Sequence, residues 1–119
     1  IEYAFSALPE AAKLPYPKLV FAHILVPHPP FVFDADGGPV DPPGSAFTLT
    51  DASGLRKKLS EEEYRDAYVA QLRHVNRRVL EAIDGIRANS ARPAAIVVTG
   101  DHGPRSRTDW YSAERTDPA

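Results

Sequence analysis

Residues 60–89 read SEEEYRDAYVAQLRHVNRRVLEAIDGIRAN, and this stretch has the clearest structural signal in the chain. Ser60 followed by Glu63 is a capping box, in which each side chain accepts a hydrogen bond from the main-chain N–H of the other residue. Apolar residues then recur at spacings of three and four, at Tyr64, Tyr68, Leu72, Val75, Val79, Ile83 and Ile86. The pattern predicts one long amphipathic helix over residues 60–89.

Two short apolar runs lie on either side of this helix. Residues 18–26 read KLVFAHILV, and residues 94–99 read AAIVVT. Runs of this length that are rich in β-branched residues are typical of strands buried on both faces, as in parallel sheets. Residues 34–59 contain four glycines and three prolines, which predicts a loop. Residues 1–17 show no clear periodicity.

The order of these elements predicts the fold class. A strand, a crossover that contains a helix and a second strand make a βαβ unit, whose two strands are parallel. We therefore expect an α/β fold: a βαβ unit with one long helix, with strands at residues 18–26 and 94–99. In such a unit His23 would lie in the core in mid-strand, and His74, which is off the apolar stripe, would be a solvated helix residue.

Polar residues follow both predicted strands. His28 lies in a Pro-His-Pro-Pro sequence after the first strand, and Asp101 and His102 lie between Gly100 and Gly103 after the second. Because parallel strands end at one edge of a sheet, these three side chains should meet there. Carboxylate and imidazole groups bind zinc or manganese. An equally good interpretation is a tight strand exit in which the aspartate bonds to the backbone.

Composition excludes several classes of function. The chain has 119 residues, a net charge of −2 and no cysteine. Disulfides, thiolate metal ligands and cysteine nucleophiles are therefore excluded. The charge balance gives no basic surface for nucleic acid, so we predict no nucleic-acid partner. The chain also lacks methionine, which suits a segment of a longer protein.

Three motifs occur in an order that resembles one enzyme superfamily. They are FAHILVPHPPFVFDADG at residues 21–37, the helix residues Tyr64, Tyr68, Gln71, Asn76 and Asp84, and AAIVVTGDHGP at residues 94–104. Together they resemble the later part of a sulfatase-like catalytic domain of the alkaline phosphatase superfamily. That superfamily includes sulfatases, phosphoglycerol transferases and phosphoethanolamine transferases. The resemblance covers about residues 18–104.

The resemblance implies a role for each of the three candidate residues. Asp101 and His102 would be metal ligands, of zinc or manganese rather than calcium, because calcium-dependent arylsulfatases have asparagine in place of the histidine. His28 would contact the transferred phosphoryl or sulfuryl group, or the leaving oxygen. The substrate would be a phosphate or sulfate ester. The strands would belong to a larger alkaline-phosphatase-like sheet.

The sequence departs from the superfamily in two places. The threonine, serine or formylglycine nucleophile and its acidic neighbours have no counterpart in residues 1–17, and no histidine follows His102. We therefore expect residues 1–119 to be a fragment from the later half of such a domain. It would have a partial active site, be inactive alone, form homo-oligomers and come from an extracytoplasmic domain of a membrane-anchored parent. The alternative is a non-catalytic α/β interaction module that oligomerises through its long helix.

Overall fold

The computed structural model describes residues 1–42, 55 and 57–102. Two helices have their bounds within these ranges, α1 at Glu2–Ala11 and α2 at Glu61–Asn89, and they pack against each other. No helix in the described ranges combines the length and the apolar character needed to cross a membrane. The later part of the predicted loop, residues 43–54 and residue 56, lies outside the described residues, as does Gly103.

Helix α2 begins where the capping box predicts. The Ser60 side chain accepts a hydrogen bond from the Glu63 N–H at 3.2 Å, and Glu63 Oε2 accepts one from the Ser60 N–H at 2.8 Å. These bonds satisfy two of the main-chain N–H groups that a helix leaves unpaired at its start. The Ser60 N–H, and then its hydroxyl, also hold the pKa of Glu63 below its ordinary value. The predicted helix is confirmed.

Helix α1 has no counterpart in the sequence prediction, since Pro9 lies inside it. Pro9 approaches α2 at Gly85, where an added Cβ would be 2.7 Å from the Pro9 ring. Asn89 Nδ2 donates a hydrogen bond to Pro9 O at 3.0 Å. This carbonyl is one of those left without a helical partner at the end of α1, so α2 both admits the proline and caps its helix.

The core is small and lies between the two helices. Phe5 of α1 meets Val75 and Ala82 of α2 there, and all three are buried. Partly buried side chains pack around this cluster: Leu8, Ile24, Val26 and Val79. The end of the apolar run at residues 18–26 therefore contributes to the core, although not as a strand.

The predicted α/β fold is wrong. Residues 18–26 and 94–99 are all described, and neither segment forms a strand. Val26 N–H bonds to Ile24 O, only two residues back, at 2.8 Å, which is a turn contact and not a ladder contact. Leu19 is 94% exposed, and Phe21 and Val97 are each 87% exposed. A strand needs a neighbouring strand for its hydrogen bonds, and an apolar run reports only side-chain character.

A tight turn at residues 34–38 lies against the side of α2. Asp34 N–H bonds to Gly38 O at 2.9 Å, and Asp34 Oδ1 accepts the N–H groups of Gly38 and Asp36 at 2.7 and 2.8 Å. The Gly38 and Asp36 N–H groups lower the pKa of the Asp34 carboxyl. Arg77 of α2 donates to the carbonyl of Ala35. The turn is thus held on the side of the helix.

Candidate functional site

The His28 loop, residues 27–32, crosses the first half of α2. Phe31 anchors it and is buried. The Phe31 ring meets two tyrosine rings edge to face, with centroids 5.1 Å from Tyr64 and 6.2 Å from Tyr68. Since Tyr64 and Tyr68 are one helical turn apart, they present one face of α2 to the loop.

A buried amide provides the second attachment of this loop. Gln71 lies about one turn beyond Tyr68. Among the large side chains that the structure describes, it is the most deeply buried. Its Oε1 accepts the Val32 N–H at 2.8 Å, and its Nε2 donates to Pro27 O at 3.3 Å and to His28 O at 3.4 Å. Gln71 of α2 therefore forms hydrogen bonds with the main chain at both ends of the loop.

His28 itself points to the surface of this anchored loop. Its side chain is exposed, and Nδ1 lies 2.6 Å from the carbonyl oxygen of the adjacent Pro29. Among the described residues, no hydrogen bond or ion pair joins the His28 ring to Asp101. The structure thus holds the backbone of His28 and leaves its imidazole accessible. His28, Asp101 and His102 were expected to meet at one edge of a sheet. Because the described residues form no sheet, that reason for placing them together no longer applies.

Asp101 and His102 form an exposed turn with their side chains close together. The His102 N–H bonds to Asp101 Oδ1 at 2.9 Å, and His102 Nε2 lies 3.5 Å from Asp101 Oδ2. Desolvation raises the pKa of Asp101, but the His102 N–H and the charges of His102 and His23 outweigh it and leave this pKa lowered. The turn therefore has the hydrogen bond from the backbone to the aspartate that was expected of a tight turn. It also places one oxygen and one nitrogen atom that could bind a metal side by side.

His23 was predicted to be a core residue, and this prediction is wrong. Its side chain is exposed, and it is the last of several causes that lower the pKa of Asp101. The sequence held one signal for this position, because His23 is the only polar residue between Leu19 and Val26. An apolar strand buried on both faces would not place an ionisable side chain at its middle without a partner.

A fit to zinc or manganese can be judged from the donor set. Asp101 and His102 offer the oxygen and nitrogen ligands that these ions accept. In the part of the chain that the structure describes, no three histidine, aspartate or glutamate side chains are grouped closely enough to hold an ion. The pair therefore suits two positions of a coordination sphere and does not complete one.

A second polar cluster joins the two helices away from these residues. His74 of α2 was predicted to be solvated, but it is buried, with Nε2 2.9 Å from Glu2 Oε1. Arg78 Nε lies 2.9 Å from Glu2 Oε2. The His74 hydrogen bond is the largest cause that lowers the pKa of Glu2; desolvation opposes it, and the Arg78 charge adds to it. The cluster ties the start of α1 to the middle of α2.

This cluster predicts a pH dependence of stability. Because the pKa of Glu2 is lower in the folded chain than its ordinary value of 4.5, its contribution is present above that value and is lost as the pH falls through the folded pKa. The Glu2 side chain is 46% exposed, so we expect solvent to limit the contribution to less than about 1 kcal/mol. Urea unfolding of wild type and Glu2→Gln, from neutral to acidic pH, should give curves that converge in acid. Parallel curves would contradict the assignment.

Comparisons with protein-family models, with curated proteins and with solved structures give no match to this chain. Exposed side chains with ionisable or metal-binding atoms occur at His28, on the anchored loop, and at His23, Asp101 and His102.

Proposed function

We propose that this chain provides part of the active site of a metal-dependent hydrolase or transferase that acts on phosphate or sulfate esters. The observation that carries the proposal is the Asp101–His102 pair, whose Oδ2 and Nε2 atoms are 3.5 Å apart on an exposed turn. An oxygen and a nitrogen donor at this separation can bind the same divalent ion. The motif order that resembles sulfatase-like enzymes supports the same reaction class.

Asp101 and His102 would be the residues that hold the metal, zinc or manganese in preference to calcium. When bound, the metal supplies Lewis-acid catalysis at the phosphoryl or sulfuryl oxygens. The carboxylate of Asp101 is ionised at neutral pH, as an ordinary aspartate is, and this is the form that binds a cation. Because the pair occupies only part of a coordination sphere, we expect no turnover of such esters by the 119-residue chain alone.

His28 suits contact with the anionic group that is transferred. Its imidazole is exposed on a loop whose backbone is held by Gln71 and by Phe31. Because the Pro29 carbonyl can only accept, Nδ1 is the nitrogen that donates to it, and in the protonated ring Nε2–H remains to donate a hydrogen bond to an oxygen on which charge develops. We assign His28 this role, with no proton transfer required of it.

A non-catalytic interaction module is a second candidate, and the exposed apolar side chains favour it. Leu19, Phe21 and Val97 stand almost fully in solvent. Another chain that covered these side chains would remove their apolar surface from water. In this case the chain would form homo-oligomers and its histidines would have no role in catalysis.

Calorimetry with zinc and with manganese separates the two candidates. We expect wild type to bind either ion, and Asp101→Asn to weaken binding by about 100-fold or more, since it removes a charged ligand. Asp84→Asn is the matched control, because Asp84 is an exposed aspartate on α2, and it should bind as wild type does. Equal affinity of Asp101→Asn and wild type would contradict the metal site. Absence of binding in wild type, with a dimer mass in light scattering, would favour the interaction module.

A further inference from the structure

Gln71 is an unusual residue for the centre of a helix face. It is completely buried, with 0% of its surface exposed, in a chain whose apolar core is small. A buried amide is tolerated only when its donors and acceptor are paired, because an unpaired buried polar group costs about 1–3 kcal/mol. An apolar side chain of similar size would fill this position without that requirement. The identity of the residue therefore points to its partners.

The partners of Gln71 lie on both sides of His28. The main-chain N–H of Val32 can meet only an oxygen, and the carbonyls of Pro27 and His28 can meet only an NH₂ group, so the orientation of the amide is fixed by chemistry. One side chain thus holds the carbonyl of His28 itself, the residue before it and the residue four positions after it. The attachment spans 39–44 residues of sequence, so it cannot form by local structure alone.

Phe31 and Gln71 hold the loop by different contacts. The Phe31 ring is packed against Tyr64 and Tyr68, which fixes the distance of the loop from α2. An aromatic contact leaves a backbone free to rotate about the anchored ring, whereas directed hydrogen bonds to two carbonyls and one N–H do not. The rotation of the His28 peptide, from which the side chain projects, therefore depends on the amide of Gln71, and the contact of Nδ1 with Pro29 O then holds the ring relative to that backbone.

We propose that Gln71 is a positioning residue that sets the direction of the His28 imidazole for an anionic phosphoryl or sulfuryl group. The inference rests on the proposed function, because it gives His28 its role. It goes beyond that function in giving a positioning role to a buried helix residue that contacts only the main chain of His28. Side chains that act on substrates need such support from residues whose own geometry is fixed.

The test uses the 119-residue chain with Gln71→Met and Gln71→Glu. Methionine keeps the volume and the helix propensity but removes every hydrogen bond. Ionised glutamate keeps the acceptor for the Val32 N–H and loses the donors to Pro27 O and His28 O; because burial raises the pKa of a carboxyl, this variant is measured at alkaline pH. Val75→Ala is the control for simple loss of stability, since Val75 is buried on the same helix within the Phe5 cluster.

Three nuclear magnetic resonance measurements report on the loop. In Gln71→Met we expect the Val32 amide to exchange about tenfold faster or more, relative to core amides of α2, and the His28 ring signals to move. The phosphate concentration that gives half of the His28 shift should rise by about tenfold. Gln71→Glu should restore protection of Val32 but not the His28 ring position. Val75→Ala should leave these relative values unchanged.

Two results would overturn the inference, and they differ from each other. Equal changes of the His28 ring in Gln71→Met and Val75→Ala would show that Gln71 acts only on stability. A wild-type His28 ring that does not respond to inorganic phosphate or sulfate, while still responding to Gln71→Met, would instead contradict the proposed role of His28. In that case the attachment exists but serves no anion.

Discussion

Replacement of Gly37 by alanine is expected to lower the free energy of unfolding by about 2–4 kcal/mol. Gly37 has φ of +90°, a backbone conformation that residues with a Cβ rarely adopt. An added Cβ would also lie 2.6 Å from Cε1 and from Nδ1 of His74. The His74 ring is buried and bonded to Glu2, so it cannot move aside without breaking the link between the helices. Chemical denaturation measures the loss.

A double-mutant cycle separates the two causes of this loss. In a His74→Ala background the steric contact is absent, so Gly37→Ala should cost only the backbone term of about 1–2 kcal/mol. The coupling energy between the two positions then reports the contact. A cost for Gly37→Ala that is the same in both backgrounds would show that His74 does not support the turn. A cost close to zero in wild type would contradict the positive φ.

The position of Gly37 connects this stability effect to the candidate site. The 34–38 turn directly follows the His28 loop, and the Phe33 ring between them stacks on His74 with centroids 4.8 Å apart. Gln71 holds one side of the loop at Val32, and His74 holds the next residue. Two polar residues of α2 that are three positions apart therefore fix consecutive residues of the loop, because such positions share a helix face.

These two residues also show why the helix could be predicted and its buried face could not. The capping box and the apolar spacing are local signals, and they place α2 correctly. Gln71 and His74 are buried only because a loop and α1 bring partners to them. Prediction of the buried face from an apolar stripe assumes that polar residues face water. This assumption fails where distant segments of the chain supply hydrogen bonds to a polar side chain.

The prediction of strands failed for a related reason. The runs at residues 18–26 and 94–99 have the composition of buried strands, but a sheet forms only where strands pair, and pairing is not local. Helix α1 escaped prediction because Pro9 interrupts the usual signals, while Gly85 and Asn89 on α2 make room for it and cap it. Of the candidate residues, the adjacent Asp101–His102 pair could be found from the sequence, whereas the exposure of His23 required the fold.

Replacement of Phe31 by alanine should cost about 3–4 kcal/mol, the usual range for removal of a buried aromatic side chain. Phe31 is buried, and its ring contacts Tyr64 and Tyr68 edge to face. Its loss leaves a cavity beneath the His28 loop that two tyrosine rings on a rigid helix cannot fill by small movements. Urea unfolding should therefore show a lower midpoint with little change of slope.

Phe21→Ala is the matched control, because the same atoms are removed from a side chain that is 87% exposed. It should change stability by no more than about 0.5 kcal/mol. The comparison also tests the fold, since a strand buried on both faces would make Phe21 as costly to remove as Phe31. Equal costs at the two positions would contradict the exposure of Phe21. A large loss of stability at Phe31 with almost none at Phe21 would show that the His28 loop packs against α2 and that residue 21 does not lie in the core.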